Sequence, residues 1–190
     1  MKSQFEAFIR THVKNPREGE ITEILEMFRE KVYPKRYIFK EAGTISSQLG
    51  FIMEGSARSF FVKDNGDEIT GRLAAKHNLI ADMISIRRKV PTPIVIELIE
   101  ESRVLVAPVP KVQALLETNL ALNIFIRESI AERTIELGER FILFLKGSAK
   151  ERYQFILEHN PDLLNLLPLR SIASMIGITP TQLSRIRSKE

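Results

Sequence analysis

Thr179, Thr181, Gln182, Ser184, Arg185 and Arg187 fall within one short stretch near the C-terminus, and all six side chains can hydrogen-bond to bases or phosphates. An arginine fork matches the acceptors on a guanine edge, a glutamine amide matches adenine, and hydroxyls suit phosphate oxygens. No carboxylate appears among them until Glu190, so nothing on this face would repel a phosphate. The chemistry these types could perform is recognition of double-stranded DNA. Arg185 is expected at a guanine, Gln182 and Thr181 at neighbouring base edges, and Thr179, Ser184 and Arg187 at phosphates.

Such side chains need a helix thin enough for the major groove and a turn that presents it. The stretch from Leu169 to Glu190, LRSIASMIGITPTQLSRIRSKE, reads as that helix-turn-helix. Ile172, Ile176, Ile178, Leu183 and Ile186 supply its apolar contacts, small Ala173 stands where two short helices would cross, and Gly177 stands at the turn. Thr179-Pro180 then reads as a helix start, a hydroxyl at the N-cap followed by a residue whose missing N–H is harmless in the first turn. On this pattern alone, an ordinary helical hairpin packed on a domain surface stays open as a reading.

Composition limits the other chemistries. The chain has 190 residues and a formal net charge of +4, enough for one large or two small domains, with no polybasic tail. Seven basic residues against four acidic ones between Lys146 and Glu190 make a modest local excess compatible with phosphate contact. Cysteine is absent, which removes disulfides, thiolate zinc sites, cysteine nucleophiles and cysteine-held iron–sulfur clusters. No apolar run reaches the length of a membrane span, and MKSQFEAFIR lacks the apolar core of a signal peptide, so the cytoplasm is the expected address. No nucleophile, base and oxyanion-donor constellation stands out, and the glycines match neither a phosphate loop nor a dinucleotide fingerprint. No catalytic or metal-binding residues are expected. His12, His77 and His159, the only histidines, read as helix-end or surface-turn residues.

Along the chain, residues 3–32 are predicted as two helices separated by Pro16. From Tyr33 to about Pro110, short apolar runs (YIF, FIM, RSFFV, IVIELI, VLVAPV) alternate with glycines and turn dipeptides, the texture of a sandwich or jelly roll. Asp64-Asn65-Gly66-Asp67 is the strongest hairpin signal, with positive φ expected at both central positions. A long helix is predicted over residues 111–146. It carries two apolar stripes, Ile130, Leu137, Phe141 and Phe144 beside Ala131, Ile135, Ile142 and Leu145. One stripe would dock the helix on its own domain; two suggest a second partner, most simply a twin of the same helix. Burial of both stripes within one chain is the alternative. Gly147-Ser148 reads as a hinge into the C-terminal helices.

This order of elements, an α+β chain of N-terminal helices, β jelly roll, long helix and C-terminal helix-turn-helix, resembles the Crp/Fnr transcription regulators. The resemblance covers nearly the whole chain. Gly43-TISSQ-LGFIME-Gly55 is similar to that family's two glycines separated by a loop and a strand, and Arg185 falls on a position that usually carries arginine. It implies a cyclic-nucleotide-binding-like sensor domain over 1–146, with a dimerisation helix at 111–146, and a DNA-binding domain over 147–190. It also implies a homodimer on a roughly palindromic operator, with RNA polymerase as a possible further partner, no membrane and no enzymatic activity.

Two departures change what the resemblance implies. Family members that bind cyclic AMP hold the ribose with a Gly-Glu pair and the phosphate with an arginine; here the corresponding positions fall on Ala81-Asp82 and on Thr92 followed by Pro93. Thr92 offers one neutral hydrogen bond and Pro93 none, so cyclic AMP or cyclic GMP in the usual mode is not expected; a different, unidentified small effector, or none, is. Arg87, Arg88 and Lys89 read as a solvated loop. The family also follows its recognition helix with a β-hairpin wing, whereas this sequence stops at Glu190, so weaker or more salt-sensitive DNA binding is expected. A ligand-sensing or protein-interaction module with a non-functional helix-turn-helix is the second reading.

Overall fold

Four fully buried phenylalanines from separate stretches of the chain meet ring to ring: Phe5 lies 5.0 Å from Phe28, 4.7 Å from Phe51 and 5.9 Å from Phe125. They tie the N-terminal helices, a central strand and the root of the long helix into one core. The computed structural model describes residues 2–188. Phe5 lies on α1 (Lys2–His12), Phe28 follows α2 (Glu18–Met27), Phe51 lies on β3 (Gln48–Glu54) and Phe125 on α5 (Leu120–Lys146).

Two four-stranded antiparallel sheets form the jelly roll. One has β1 (Arg29–Tyr33), β8 (Ser102–Pro108), β3 and β6 (Leu79–Ile80) as neighbours in that order. The other has β2 (Ile38–Lys40), β7 (Val95–Leu98), β4 (Ala57–Val62) and β5 (Glu68–Ala74). Strands β3 and β8 are buried on both faces, which is why FIM and VLVAPV are continuous apolar runs rather than alternating ones. Leu49, Phe51, Met53, Leu105 and Ala107 face the helices, while Ile52, Val104 and Val106 face the opposite sheet.

The structure departs from the sequence reading at four places. The first strand starts at Arg29, not after residue 32. REKVY buries only Tyr33, so no apolar alternation announces it, and backbone pairing along the edge of β8 (Arg29↔Val106 to Tyr33↔Ser102) holds it instead. The helix expected over 111–146 is two helices, α4 (Val109–Leu116) and α5. Asn119 makes the break: its side chain caps α5 at Leu122 N (2.8 Å) and donates to Glu20 O (2.9 Å) and Glu23 (2.8 Å) of α2.

At the β4–β5 turn only Gly66 takes positive φ (+85°). Its N–H bonds to Lys63 O at 2.9 Å and the Asn65 side chain accepts from Asp67 N at 3.1 Å, so asparagine braces the turn from ordinary backbone. Arg87 and Arg88, expected in a loop, form the last turn of α3 (Met83–Arg88), which Lys89 ends at φ +56°.

After α5 come α6 (Ala149–His159), α7 (Leu169–Met175) and α8 (Pro180–Arg187). Their core of Tyr153, Ile156, Ile172, Ala173, Met175, Ile176 and Leu183 also takes in Leu73 of β5 and Ile99 of the jelly roll. Among the described residues, no helix is long and apolar enough to cross a membrane.

Candidate nucleic-acid interface

Gly177 is where the chain turns between α7 and α8. It takes φ +70°, its N–H bonds to Ser174 O (3.3 Å), and the next N–H, of Ile178, reaches back to Ala173 O (3.1 Å). These two bonds close the end of α7 in the left-handed arrangement that glycine favours. A Cβ there would also stand 2.8 Å from the Phe144 ring of α5, so the turn is fitted against the long helix.

Helix α8 starts at an N-cap on Thr179, whose hydroxyl accepts from Gln182 N at 3.2 Å, while the Gln182 side-chain oxygen accepts from Thr179 N at 2.9 Å. Pro180 is the first helical residue. This reciprocal box, written in the sequence as Thr-Pro-Thr-Gln, fixes the end of the helix that would enter a groove. It also gives Gln182 a second role that the sequence reading missed, since its amide oxygen is engaged and only its NH2 is left to read an edge.

Leu183 is fully buried and Ile186 partly buried in the C-terminal core, which fixes the rotation of α8. Thr179, Thr181, Gln182, Ser184, Arg185 and Arg187 are exposed. No described residue forms an ion pair with Arg185 or Arg187, and α8 holds no acid. The chain beyond Ser188, including Lys189 and Glu190, lies outside the described residues.

The opposite side of the motif is held by the jelly roll. Arg58 of β4 donates to Ser171 Oγ (3.2 Å) and Thr70 N of β5 donates to Ser174 Oγ (3.1 Å). Arg58 is itself fixed by Glu68 and Glu97, each at 2.7 Å. Helix α7 therefore docks on β5, and α8 carries its polar face on the outside.

At the other candidate site, Ala81 packs against the helical core and Asp82 and Thr92 come together, buried, with a residue that the sequence reading did not single out, Lys40. Lys40 Nζ lies 3.2 Å from Asp82 Oδ2, 2.9 Å from Thr92 Oγ1 and 2.7 Å from Ile94 O. The other Asp82 oxygen accepts from Ile84 N (3.1 Å) and Ser85 N (3.3 Å), and Thr92 Oγ1 donates to Asp82 Oδ2. Burial by itself would push the Asp82 carboxyl up, but the Thr92 and Ser85 hydrogen bonds and the Lys40 ammonium outweigh it and hold the group below its usual value.

These residues do not fit a cyclic phosphate. The donors at the start of α3 and the ammonium are already taken by a carboxylate of the chain's own, and that carboxylate would face the phosphate charge. Nothing in the local sequence announced Lys40, whose partner Thr92 is 52 positions away.

On α5 the two stripes face different surroundings. Both are exposed, but Leu137, Phe141 and Phe144 (47%, 63% and 53%) line a cavity shared with α6 and α7, whereas Ile135, Ile142 and Leu145 (56%, 51% and 72%) do not.

A jelly roll joined through a long helix to a helix-turn-helix defines a class of architecture, and the solved structures that share it agree. FixK2 from Bradyrhizobium japonicum superposes with a TM-score of 0.72 at 16% identity, covering 85% of this chain and 83% of that one. A protein from Eubacterium rectale described as a transcriptional regulator of the Crp/Fnr family gives 0.70 at 16% identity, covering 91% and 82%. A CooA variant from Carboxydothermus hydrogenoformans gives 0.68 at 17% identity, covering 87% and 77%. No protein-family model and no curated protein matches the sequence. The fold of this chain is that of the Crp/Fnr regulators.

Proposed function

We propose that this chain is a DNA-binding transcription regulator that acts as a homodimer on a roughly palindromic operator. The observation that carries the reading is the face of α8: capped at its entry, free of carboxylates and exposed, on a fold whose solved relatives include a described Crp/Fnr transcriptional regulator. Pairing through α5 would set two such helices about one DNA turn apart, roughly 34 Å. Arg185 reads a guanine, Gln182 and Thr181 read adjacent edges, and Thr179, Ser184 and Arg187 hold phosphates. The protein then works in the cytoplasm, beside RNA polymerase, and catalyses no reaction. Its sensor domain does not use the usual cyclic AMP or cyclic GMP mode and answers to a different small effector or to none, a reading supported by the mutual satisfaction of Lys40, Asp82 and Thr92.

Selection from a random DNA pool, followed by titration of the enriched sequence at two salt concentrations, tests the reading. A palindromic consensus is expected, with Arg185→Ala weakening the selected site by about 1–3 kcal/mol and relaxing one base position. Weak binding without sequence preference would leave an interaction module in place of a regulator.

A further inference from the structure

Two arginines that form no ion pair with a described residue line an apolar cavity of about 200 Å3 between the C-terminal half of α5, α6, α7 and β5, with the Glu136 charge acting on Arg140 from further off. Phe144, Phe155, Ile156 and Met175 supply apolar walls, and Arg140 and Arg152 also line it. Arg140 donates to Gly71 O at 2.8 Å, and burial, then the charge of Arg133, pushes its guanidinium below the usual value. Arg152 lies over the Phe144 ring at 4.9 Å and makes a long contact to Phe144 O at 3.4 Å. Its Nε is sealed from solvent with no partner among the described residues. Neither arginine takes part in an ion pair with a described residue.

Two guanidinium side chains on one cavity, neither in an ion pair with a described residue, suit an anion whose oxygens meet a charged fork. Aromatic walls on the same cavity add an apolar body to that requirement. The volume is below the roughly 300–1,000 Å3 of sites for drug-sized molecules, so the ligand is small.

We propose that this cavity binds a small organic carboxylate, with its apolar ring or chain against Phe144, Phe155 and Met175 and its carboxylate on Arg152, seconded by Arg140. The walls belong to the long helix, the helix-turn-helix and, through Gly71, the jelly roll. A ligand there ties the three together and sets how α8 is presented. This last consequence rests on the proposed DNA-binding role; the binding itself does not.

Calorimetric titration of the full chain with 4-phenylbutyrate, and with 4-phenylbutanamide as its neutral twin, tests the site. Saturable binding of one carboxylate per chain is expected, with the amide at least about tenfold weaker. Arg152→Gln should weaken the carboxylate to a similar extent with the melting profile retained, and Arg152→Lys, which keeps charge but not the fork, should fall between. Equal affinity for acid and amide, no saturable binding of either, or an Arg152→Gln variant that binds like the parent overturns the proposal. Carboxylate binding in a protein that selects no DNA sequence would uphold the site while removing the regulator reading. Sequence-specific DNA binding without carboxylate binding would do the reverse.

Discussion

Arg58 Nη1 and Ser171 Oγ, 113 positions apart in sequence, meet at 3.2 Å and join the jelly roll to the first helix of the helix-turn-helix. Both residues are buried, and Ser174, one turn further along α7, accepts the backbone N–H of Thr70. Removing both hydroxyls in Ser171→Ala/Ser174→Ala leaves the Thr70 donor unmatched beneath α7, a loss of about 1–3 kcal/mol. The loss should be local. Hydrogen exchange in α7 and α8 should quicken while β3 and β8 keep their protection. Unchanged exchange across α7 would mean the contact does not hold the motif in place.

Lys40 and Asp82 form a buried pair, with 2% and 1% of their side chains exposed. Lys40→Met leaves the Asp82 charge uncompensated and should destabilise by about 3–5 kcal/mol, which for a chain of this size lowers Tm by roughly 6–20 °C. Adding Asp82→Asn removes that charge while keeping an acceptor for the α3 cap, so the double variant should be more stable than Lys40→Met alone. Since the folded Asp82 carboxyl is held below its usual value, the unfolded chain binds the proton first on acidification. The pair's contribution is therefore complete above about pH 4 and is lost below it. A double variant no more stable than Lys40→Met would refute the charge argument.

These two cases mark what the sequence could tell. The capped start of α8 was legible because Thr179-Pro180 and the turn glycine are local signals, each satisfied within a few residues; the Gln182 half of the box is equally local and was missed. The apolar runs of β3 and β8 were legible as local patterns, although their pairing with each other joins stretches far apart in the chain. Strand β1 was not, because its polar residues are held by backbone pairing to β8, and neither was the break at Asn119, whose partners lie on α2. The pocket positions Ala81, Asp82 and Thr92 were found by alignment with a family pattern, but Lys40, which completes the cluster, depends on strands β2 and β7 lying side by side. Likewise, nothing near Ser171 in the sequence points to Arg58.

His77 stands at φ +70° with its ring 4.5 Å from Phe8 and stacked on Phe51 at 6.1 Å. Burial, then the charges of Lys76 and His12, lower its pKa. Its neutral form is thus favoured by folding, and that stability is complete above the usual histidine value, near pH 6.5, and is lost as pH falls through it. His77→Asn, which tolerates the left-handed backbone, should flatten the slope of stability against pH between about pH 7 and 5. An unchanged slope in denaturant titrations at those pH values would assign the acid sensitivity elsewhere.

Gln182 holds the entry of α8 with its oxygen and lies on the face proposed to meet DNA. Gln182→Glu separates the two roles. Glutamate keeps the reciprocal box with Thr179 and suits a helix N-terminus, so Tm should stay level or rise slightly. The same carboxylate faces phosphate, and affinity for the selected operator should drop about tenfold or more. Thr179→Ala should show the converse bias, with about 0.5–2 kcal/mol lost from stability through the missing cap. Undiminished DNA affinity in Gln182→Glu would take this face of α8 off the DNA.

Ile135, Ile142 and Leu145 follow heptad spacing along the exposed stripe of α5 that borders no other helix of the C-terminal group, beside Gly138, where a Cβ would meet nothing. A twin helix laid along this stripe would bury the three side chains and could approach closely at Gly138. Because Ile142 and Leu145 touch little within their own chain, Ile142→Glu/Leu145→Glu should change protomer stability by only about 0.5 kcal/mol per site. It should nonetheless halve the mass in light scattering. With the two α8 helices no longer linked, affinity for a full palindrome should fall by about 10²–10⁴ toward that of a single half-site. The stripe of Leu137, Phe141 and Phe144 responds differently, since Phe144 also abuts the Gly177 turn. Phe144→Ala should loosen the helix-turn-helix and leave the oligomeric mass unchanged. If the charged pair leaves the dimer intact and Phe144→Ala dissolves it, the seam runs along the other stripe.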